Sequence, residues 1–142
     1  MAGSTVMSAE ERQAFLAEVH VGIIAIAESD RGPLAVPVWY SYEPGGDVQV
    51  LMQGDSRKMV GIEAAGRFSV CAQTETAPYK YVSVEGPVSN VRPYGHNDIL
   101  AMATRYLGEE GGRAYAAGGT GDNGVLVSMT PEHWLSTDYS KR

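Results

Sequence analysis

Short apolar runs and period-two alternation recur along this chain, and together they predict a protein built mainly from β-strands. Val21 to Ala27 is an unbroken apolar stretch rich in β-branched residues, the pattern of a strand buried on both faces. From Leu34 to Tyr42 the pattern alternates, with Leu34, Val36, Val38, Tyr40 and Tyr42 on one face. Pro37 within that run has no N–H for a ladder, which puts it at an edge or a bulge. Pro44-Gly45-Gly46-Asp47 reads as a hairpin loop into a strand from Val48 through Met52. Arg67 to Thr74 and Tyr79 to Val91 follow as strands joined through Pro78. Val125 to Met129 is a last clear strand, which His133 to Leu135 extends after Pro131.

Helices are few and short by the same reading. Ser8-Ala9-Glu10-Glu11 has the form of a capping box, and Phe15, Leu16 and Val19 supply the apolar stripe of a helix near Ser8 to Val19. Ser56 to Ala65 is a second helix, ended by Gly66 as its C-terminal cap. Asn97 or Asp98 caps a third through Leu107. Gly108 to Gly124 is glycine-rich and weakly patterned, and reads as a loop with one helical turn around Arg113 to Ala117. Many short strands with few helices argue for a small β-barrel. No repeat or linker divides the 142 residues, so a single domain over 1–142 is expected.

Composition narrows the function. A formal net charge of −6 and the absence of any long Lys/Arg run argue against a nucleic-acid partner. No apolar segment has membrane-spanning length and no leader pattern opens the chain, so no membrane partner and a cytoplasmic location are expected. The single cysteine, Cys71, excludes an internal disulfide framework and reads as a small buried hydrophobe. His20, His96 and His133 are widely spaced with no second ligand nearby, so no metal site is expected.

Against this acidic background, Gly54-Asp55-Ser56-Arg57-Lys58 stands out. It closes a strand and opens a helix with a hydroxyl and two cations. The helix dipole disfavours cations in a first turn, whereas unpaired backbone N–H groups there favour an anion. Arg57 and Lys58 at that point are what a phosphate site predicts. Lys80 heads a second cationic segment, Tyr79-Lys80-Tyr81-Val82-Ser83-Val84-Glu85-Gly86. Alternation sets Lys80 on the face of Val82 and Val84. Gly119-Thr120-Gly121-Asp122-Asn123-Gly124 matches the dinucleotide fingerprint G-x-G-x-x-G by letter, but a strand follows it where a helix is required. It reads as a loop able to lie over a cofactor tail.

The order of elements and these two motifs resemble the pyridoxamine 5′-phosphate oxidase-like split β-barrel superfamily along nearly the whole chain. Ser56-Arg57-Lys58 is similar to the family's Ser-Arg-Lys turn, and Lys80 to Gly86 to its Arg-Gln-Val-x-Val-x-Gly strand. The closing Thr130-Pro131-Glu132-His133-Trp134 to Asp138-Tyr139 resembles the flavin/deazaflavin oxidoreductase branch. The resemblance implies an FMN-binding-like split barrel, mainly β in an α+β arrangement. It also implies a homodimer with the cofactor in a groove between protomers. Ser56, Arg57, Lys58 and Lys80 would hold the anionic tail, and Pro37 and Val38 would run their backbone beside the ring. Trp39 and Tyr79 are candidates for a substrate pocket, and Trp39, Tyr40, Tyr79 and Tyr81 for aromatic walls.

Departures from the family pattern refine the expectation. The true oxidases carry an arginine early in the second strand, where Ala35 or a neighbour stands here. They carry a lysine at its end, where this chain has Tyr40. Vitamin B6 oxidation is therefore not expected, and FMN loses a phosphate ligand. The expected cofactor is F420, with FMN as the alternative, in an oxidoreductase moving a hydride to a small organic acceptor. A non-catalytic carrier of a flavin-type cofactor is the competing reading from another class. No general acid is evident in the motif regions.

Overall fold

The computed structural model describes residues 4–119 and 121–142. Among these residues, eight strands and three α-helices follow in the order α1 (Ala9–Ala17), β1 (Gly22–Ile26), β2 (Leu34–Val38), β3 (Tyr40–Ser41), β4 (Val48–Gln53), α2 (Arg57–Ala65), β5 (Arg67–Gln73), β6 (Lys80–Pro93), α3 (His96–Ala116), β7 (Gly124–Met129) and β8 (His133–Asp138). A 3₁₀ turn, Tyr139–Lys141, ends the chain.

All pairings are antiparallel, in the order β2-β1-β5-β6-β7-β4-β3. The two outer members, β2 and β3, are consecutive pieces of one segment broken at Trp39, so the sheet closes on itself as a barrel. That break refines the single strand expected from Leu34 to Tyr42. Its N-terminal half pairs β1 and its C-terminal half pairs β4. Pro37 tolerates this place because β2 ends its ladder, opposite Ile23 of β1.

The long β6 carries β5 along one edge and two strands on the other, β8 beside 80–85 and β7 beside 88–93. The chain crosses from β7 to β8 directly over Gly86, where Thr130 N donates to Pro87 O at 3.0 Å and Glu132 N donates to Glu85 O at 2.8 Å. A Cβ on Gly86 would strike the Thr130 carbonyl. The glycine that closes the Lys80–Gly86 motif is thus required by backbone approach.

The alternating faces meet in one core. Ile24, Ile26, Tyr40, Val48, Val50, Val70, Val82, Val84, Val127 and Met129 are fully buried, joined by Leu16 of α1 and Ile62 of α2. β1 buries only one face: Gly22, Ile24 and Ile26 point inward while Ile23 is 40% exposed. This corrects the expectation of two buried faces, because among the described residues no layer covers the outer side of the sheet at Ile23. Cys71, opposite Ile23 on β5, is accordingly half-buried rather than buried, and burial still pushes its thiol up.

The helix ends follow the local code. Ser8 Oγ accepts from Glu11 N at 3.1 Å and Glu11 Oε1 accepts from Ser8 N at 2.8 Å, the reciprocal capping box. Lys141 Nζ lies 2.8 Å from the same carboxylate, tying the C-terminus to α1. These contacts hold the Glu11 carboxyl down at about 2, first through Lys141 and then through Ser8. A depressed folded-state pKa contributes stability above the ordinary carboxylate value, and that contribution is lost as pH falls toward 2. Glu11→Gln keeps a capping side chain but not the charge. Its unfolding midpoint should therefore fall less between pH 5 and pH 2 than the wild type's; parallel slopes in acid unfolding curves would refute the assignment.

The largest departure from the sequence reading lies after Leu107. α3 continues to Ala116, but Gly108 at φ 81° and ψ 175° breaks it into two helical stretches. Gly112 comes back against Thr104, where an added Cβ would lie 2.7 Å from the Thr104 Cα. Residues eight apart along one straight helix are a dozen ångström apart. The helix therefore doubles back at Gly108, and the segment 109–116 is an arm and not a loop. No helix among the described residues is long and apolar enough to cross a membrane.

Candidate functional site

The break at Trp39 organises a cavity. β3 begins at Tyr40, whose backbone is held from outside the ladder: its N–H donates to the Tyr106 hydroxyl at 3.0 Å. That hydroxyl lies 2.6 Å from the His20 carbonyl and 3.0 Å from the Tyr40 carbonyl as acceptors. Arg105 spreads its guanidinium over the same Tyr40 carbonyl (2.9 Å) and two further acceptors, the carbonyls of Ala17 (3.1 Å) and Glu18 (2.8 Å). Adjacent residues of α3 thus satisfy the backbone that the strand break leaves unpaired. The Tyr106 ring then stacks on Trp39, with centroids 4.9 Å apart and planes 6° from parallel.

Trp39 is thereby fixed in the wall of a cavity of about 330 Å³. Pro37, Val38 and Trp39 line one side, the end of β4 (Leu51, Met52, Gln53) another, and Ile99, Met102 and Ala103 of α3 a third. Tyr94 and Tyr115 complete the aromatic part of the lining, and Lys58 is its basic side chain. No ion pair or side-chain hydrogen bond engages Lys58 among the described residues.

The neighbours of Lys58 in the motif are differently placed. Ser56 is the N-cap of α2, its hydroxyl oxygen accepting from Met59 N at 3.2 Å, and Gly66 closes the helix at φ 74°. Arg57 turns to Glu28, with Nε 2.9 Å from Oε2 and Nη2 2.6 Å from Oε1, a two-point pair. That pair holds the Glu28 carboxyl below its usual range. Arg57 does not line the cavity.

The remaining expected residues do not join it within one chain. Lys80 pairs with Asp138 across β6 and β8, its N–H on Thr74 Oγ1 at 2.9 Å. Tyr79 is exposed beside Tyr139, whose N–H donates to the Tyr79 carbonyl at 3.0 Å. Tyr40 is not an aromatic wall of the site: it is fully buried, its hydroxyl donating to the Leu16 carbonyl at 2.7 Å, and burial pushes its phenol far up. The glycine-rich loop docks beside the site. Gly54 N donates to Asn123 O at 2.6 Å, and Gly124 packs so tightly on Tyr94 that a Cβ would enter its ring. Thr120 of that loop lies outside the described residues. No group of three or more His, Cys, Asp or Glu able to hold a metal ion occurs among the described residues.

Solved structures place this arrangement. No family model and no curated protein matches the sequence. An F420 reductase superposes with a TM-score of 0.69 at 18% identity, over 87% of this chain and 94% of that one. A putative pyridoxamine 5′-phosphate oxidase from Listeria innocua gives 0.66 at 12%, over 90% and 96%. The fold is the split β-barrel of the pyridoxamine 5′-phosphate oxidase-like proteins. A third split barrel, an FAD and heme binding protein from Mycobacterium smegmatis, gives 0.66 at 12%, over 97% of this chain and 73% of that one.

Sequence reasoning missed Tyr94 and Tyr115, which line the cavity, and Arg105 and Tyr106, which hold the backbone and the Trp39 ring beside it. Arg105 and Tyr106 fell inside an expected helix with nothing to mark them. The segment carrying Tyr115 held a usable signal: Glu109 and Glu110 open it and Arg113 lies in its last turn, which suits the two ends of a short helix dipole.

Proposed function

We propose that this protein binds a flavin-type cofactor, F420 in the first place, and uses it to reduce a small organic acceptor. The observation that carries this reading is Lys58. It is a cation without a carboxylate partner, in the first turn of α2, lining a cavity whose other side chains, Gln53 apart, are aromatic or apolar. An anionic tail fits that donor set, because the N–H groups opening α2 and the Ser56 hydroxyl proton add to Lys58. Pro37 and Val38 would present main chain to a flat ring, Trp39 would flank it, and Ile99 and Met102 would keep water away. The bound cofactor would supply the hydride; the chain supplies binding, orientation and dryness.

The pairing of Arg57 with Glu28 leaves less positive charge free than the motif promised, which supports a cofactor other than FMN. FMN remains the second reading, favoured by the FAD-binding split barrel, and a carrier without turnover is the third. A homodimer belongs to the same proposal. Lys80 and Tyr79 reach the cofactor only from a second copy. The uncovered sheet face with Val21 (55% exposed), Ile23, Pro37 and Cys71 surrounds a hollow of about 660 Å³, and Pro37 also lines the Lys58 cavity. A copy packed there would border the site.

Parallel fluorescence titrations with F420 and FMN test the reading. Micromolar or tighter F420 binding, with FMN at least tenfold weaker, is the expected result, together with a two-chain mass in sedimentation. FMN preference would transfer the protein to the flavin reading. Binding of neither would end the cofactor proposal.

A further inference from the structure

The arm 109–116 places a third aromatic ring at the cavity, and this ring has no counterpart in the motifs that suggested the site. Tyr115 lines the cavity and meets Trp39 with centroids 5.2 Å apart and planes tilted by 47°. Trp39 already stacks flat on Tyr106, so its ring is held while Tyr115 approaches it at an angle. Such a pair leaves an open wedge and not a closed stack. The arm that carries Tyr115 is lightly held. Its buried residues are Gly112 and Ala116, neither with more than a methyl group to bury, and Tyr115 itself is 52% exposed. Among the described residues the arm's one ion pair, Arg113 with Glu109, lies within it and is exposed. Little apolar area resists a small rotation about Gly108, whose positive φ sets the bend.

We propose that Tyr115 is a specificity-determining residue of this cavity, selecting flat conjugated ligands by closing its ring over them against the fixed ring of Trp39. This rests on the function proposed above, which sets the flat ring of the cofactor against Trp39 in the same cavity. The physical ground is the preference of aromatic faces for offset stacking, worth two- to tenfold in affinity for each ring engaged. An aliphatic ligand of the same size gains burial but no stacking. The rigid Trp39–Tyr106 pair supplies the reference wall, and the arm supplies the adjustment.

Equilibrium dialysis of 2-naphthol against its saturated analogue decahydro-2-naphthol isolates flatness, since the two share a carbon skeleton and a hydroxyl. The wild-type protein, free of F420, should bind 2-naphthol about tenfold more tightly. Tyr115→Ala should reduce that ratio at least threefold, and Tyr115→Phe should keep it. Tyr115 is surface-exposed, so both variants are expected to fold, as far-UV circular dichroism will verify. A wild-type ratio near one, or an unchanged ratio in Tyr115→Ala, would overturn the proposal. F420 affinity measured on the same proteins separates the two readings. Flat-ligand selectivity without F420 binding sinks the cofactor assignment alone; F420 binding without selectivity sinks the role of Tyr115 alone.

Discussion

Lys58→Ala is expected to weaken F420 binding ten- to a hundredfold while the protein stays folded. The lysine sits half-exposed at the start of α2, contributes nothing to the core, and has no salt-bridge partner whose loss would strand a charge. A hydrogen bond to a charged group is worth about 1.5–3 kcal/mol, which at 1.4 kcal/mol per decade corresponds to that range. Arg57→Ala provides the contrast. Its guanidinium is already spent on Glu28, so its removal should weaken F420 binding less than removal of Lys58 does. Equal losses in the two variants would mean that the cofactor draws Arg57 away from Glu28. An unchanged affinity in Lys58→Ala would remove the anchor. Thermal denaturation of the free protein is the companion measurement, and the midpoint should move little, since surface substitutions away from caps and networks seldom exceed about 0.5 kcal/mol.

The second large effect is structural and reaches the site indirectly. Arg105→Ala should cost about 3 kcal/mol and lower the unfolding midpoint by roughly 10 °C in a chain of 142 residues. Three carbonyls lose a charged donor at once, those of Ala17 and Glu18 at the end of α1 and that of Tyr40 beside the strand break. The guanidinium also leaves the faces of Tyr40 and Tyr106, whose centroids lie 5.4 and 5.7 Å away. The contributions are not additive, because the Tyr106 hydroxyl still reaches the Tyr40 carbonyl. Lysine at 105 should recover only a minor part, since one ammonium cannot span three acceptors in a fork. Urea unfolding decides the matter. A shift below 1 kcal/mol would show that water replaces the guanidinium and that the clamp is dispensable. If the clamp matters, cofactor or ligand affinity should fall with stability, as Trp39 is covalently next to the backbone that Arg105 holds.

These two variants separate what is written locally from what is assembled. The capping box of α1, the Ser56 and Gly66 ends of α2, the edge position of Pro37 and the inward alternation of β2 and β4 all appear where the sequence pattern puts them. Each depends on residues within four positions of one another or on a period of two. Lys58 was legible for the same reason: the conflict between a cation and the first turn of a helix is a local one. The closing strand was legible only in part, because β8 runs on to Asp138 through side chains that alternate less clearly.

The rest required the barrel. Glu28 captures Arg57 from 29 positions away, and a motif cannot show that its own cation has been neutralised by a turn elsewhere. The segment from Leu34 to Ser41 looks continuous in sequence, yet it must break at Trp39 because its two halves pair with different strands when the sheet closes. The hydroxyl that satisfies the break comes from Tyr106, 66 positions on. The arm after Gly108 carries two glycines of low helix propensity, and the close approach of Gly111 to Leu107 and of Gly112 to Thr104 is what makes them suitable. Periodicity and capping are properties of a chain with itself over one or two turns, and these the sequence determined alone. Which charge meets which, and which ring faces the cavity, depends on strands distant in sequence being brought side by side, and only the tertiary structure decided that.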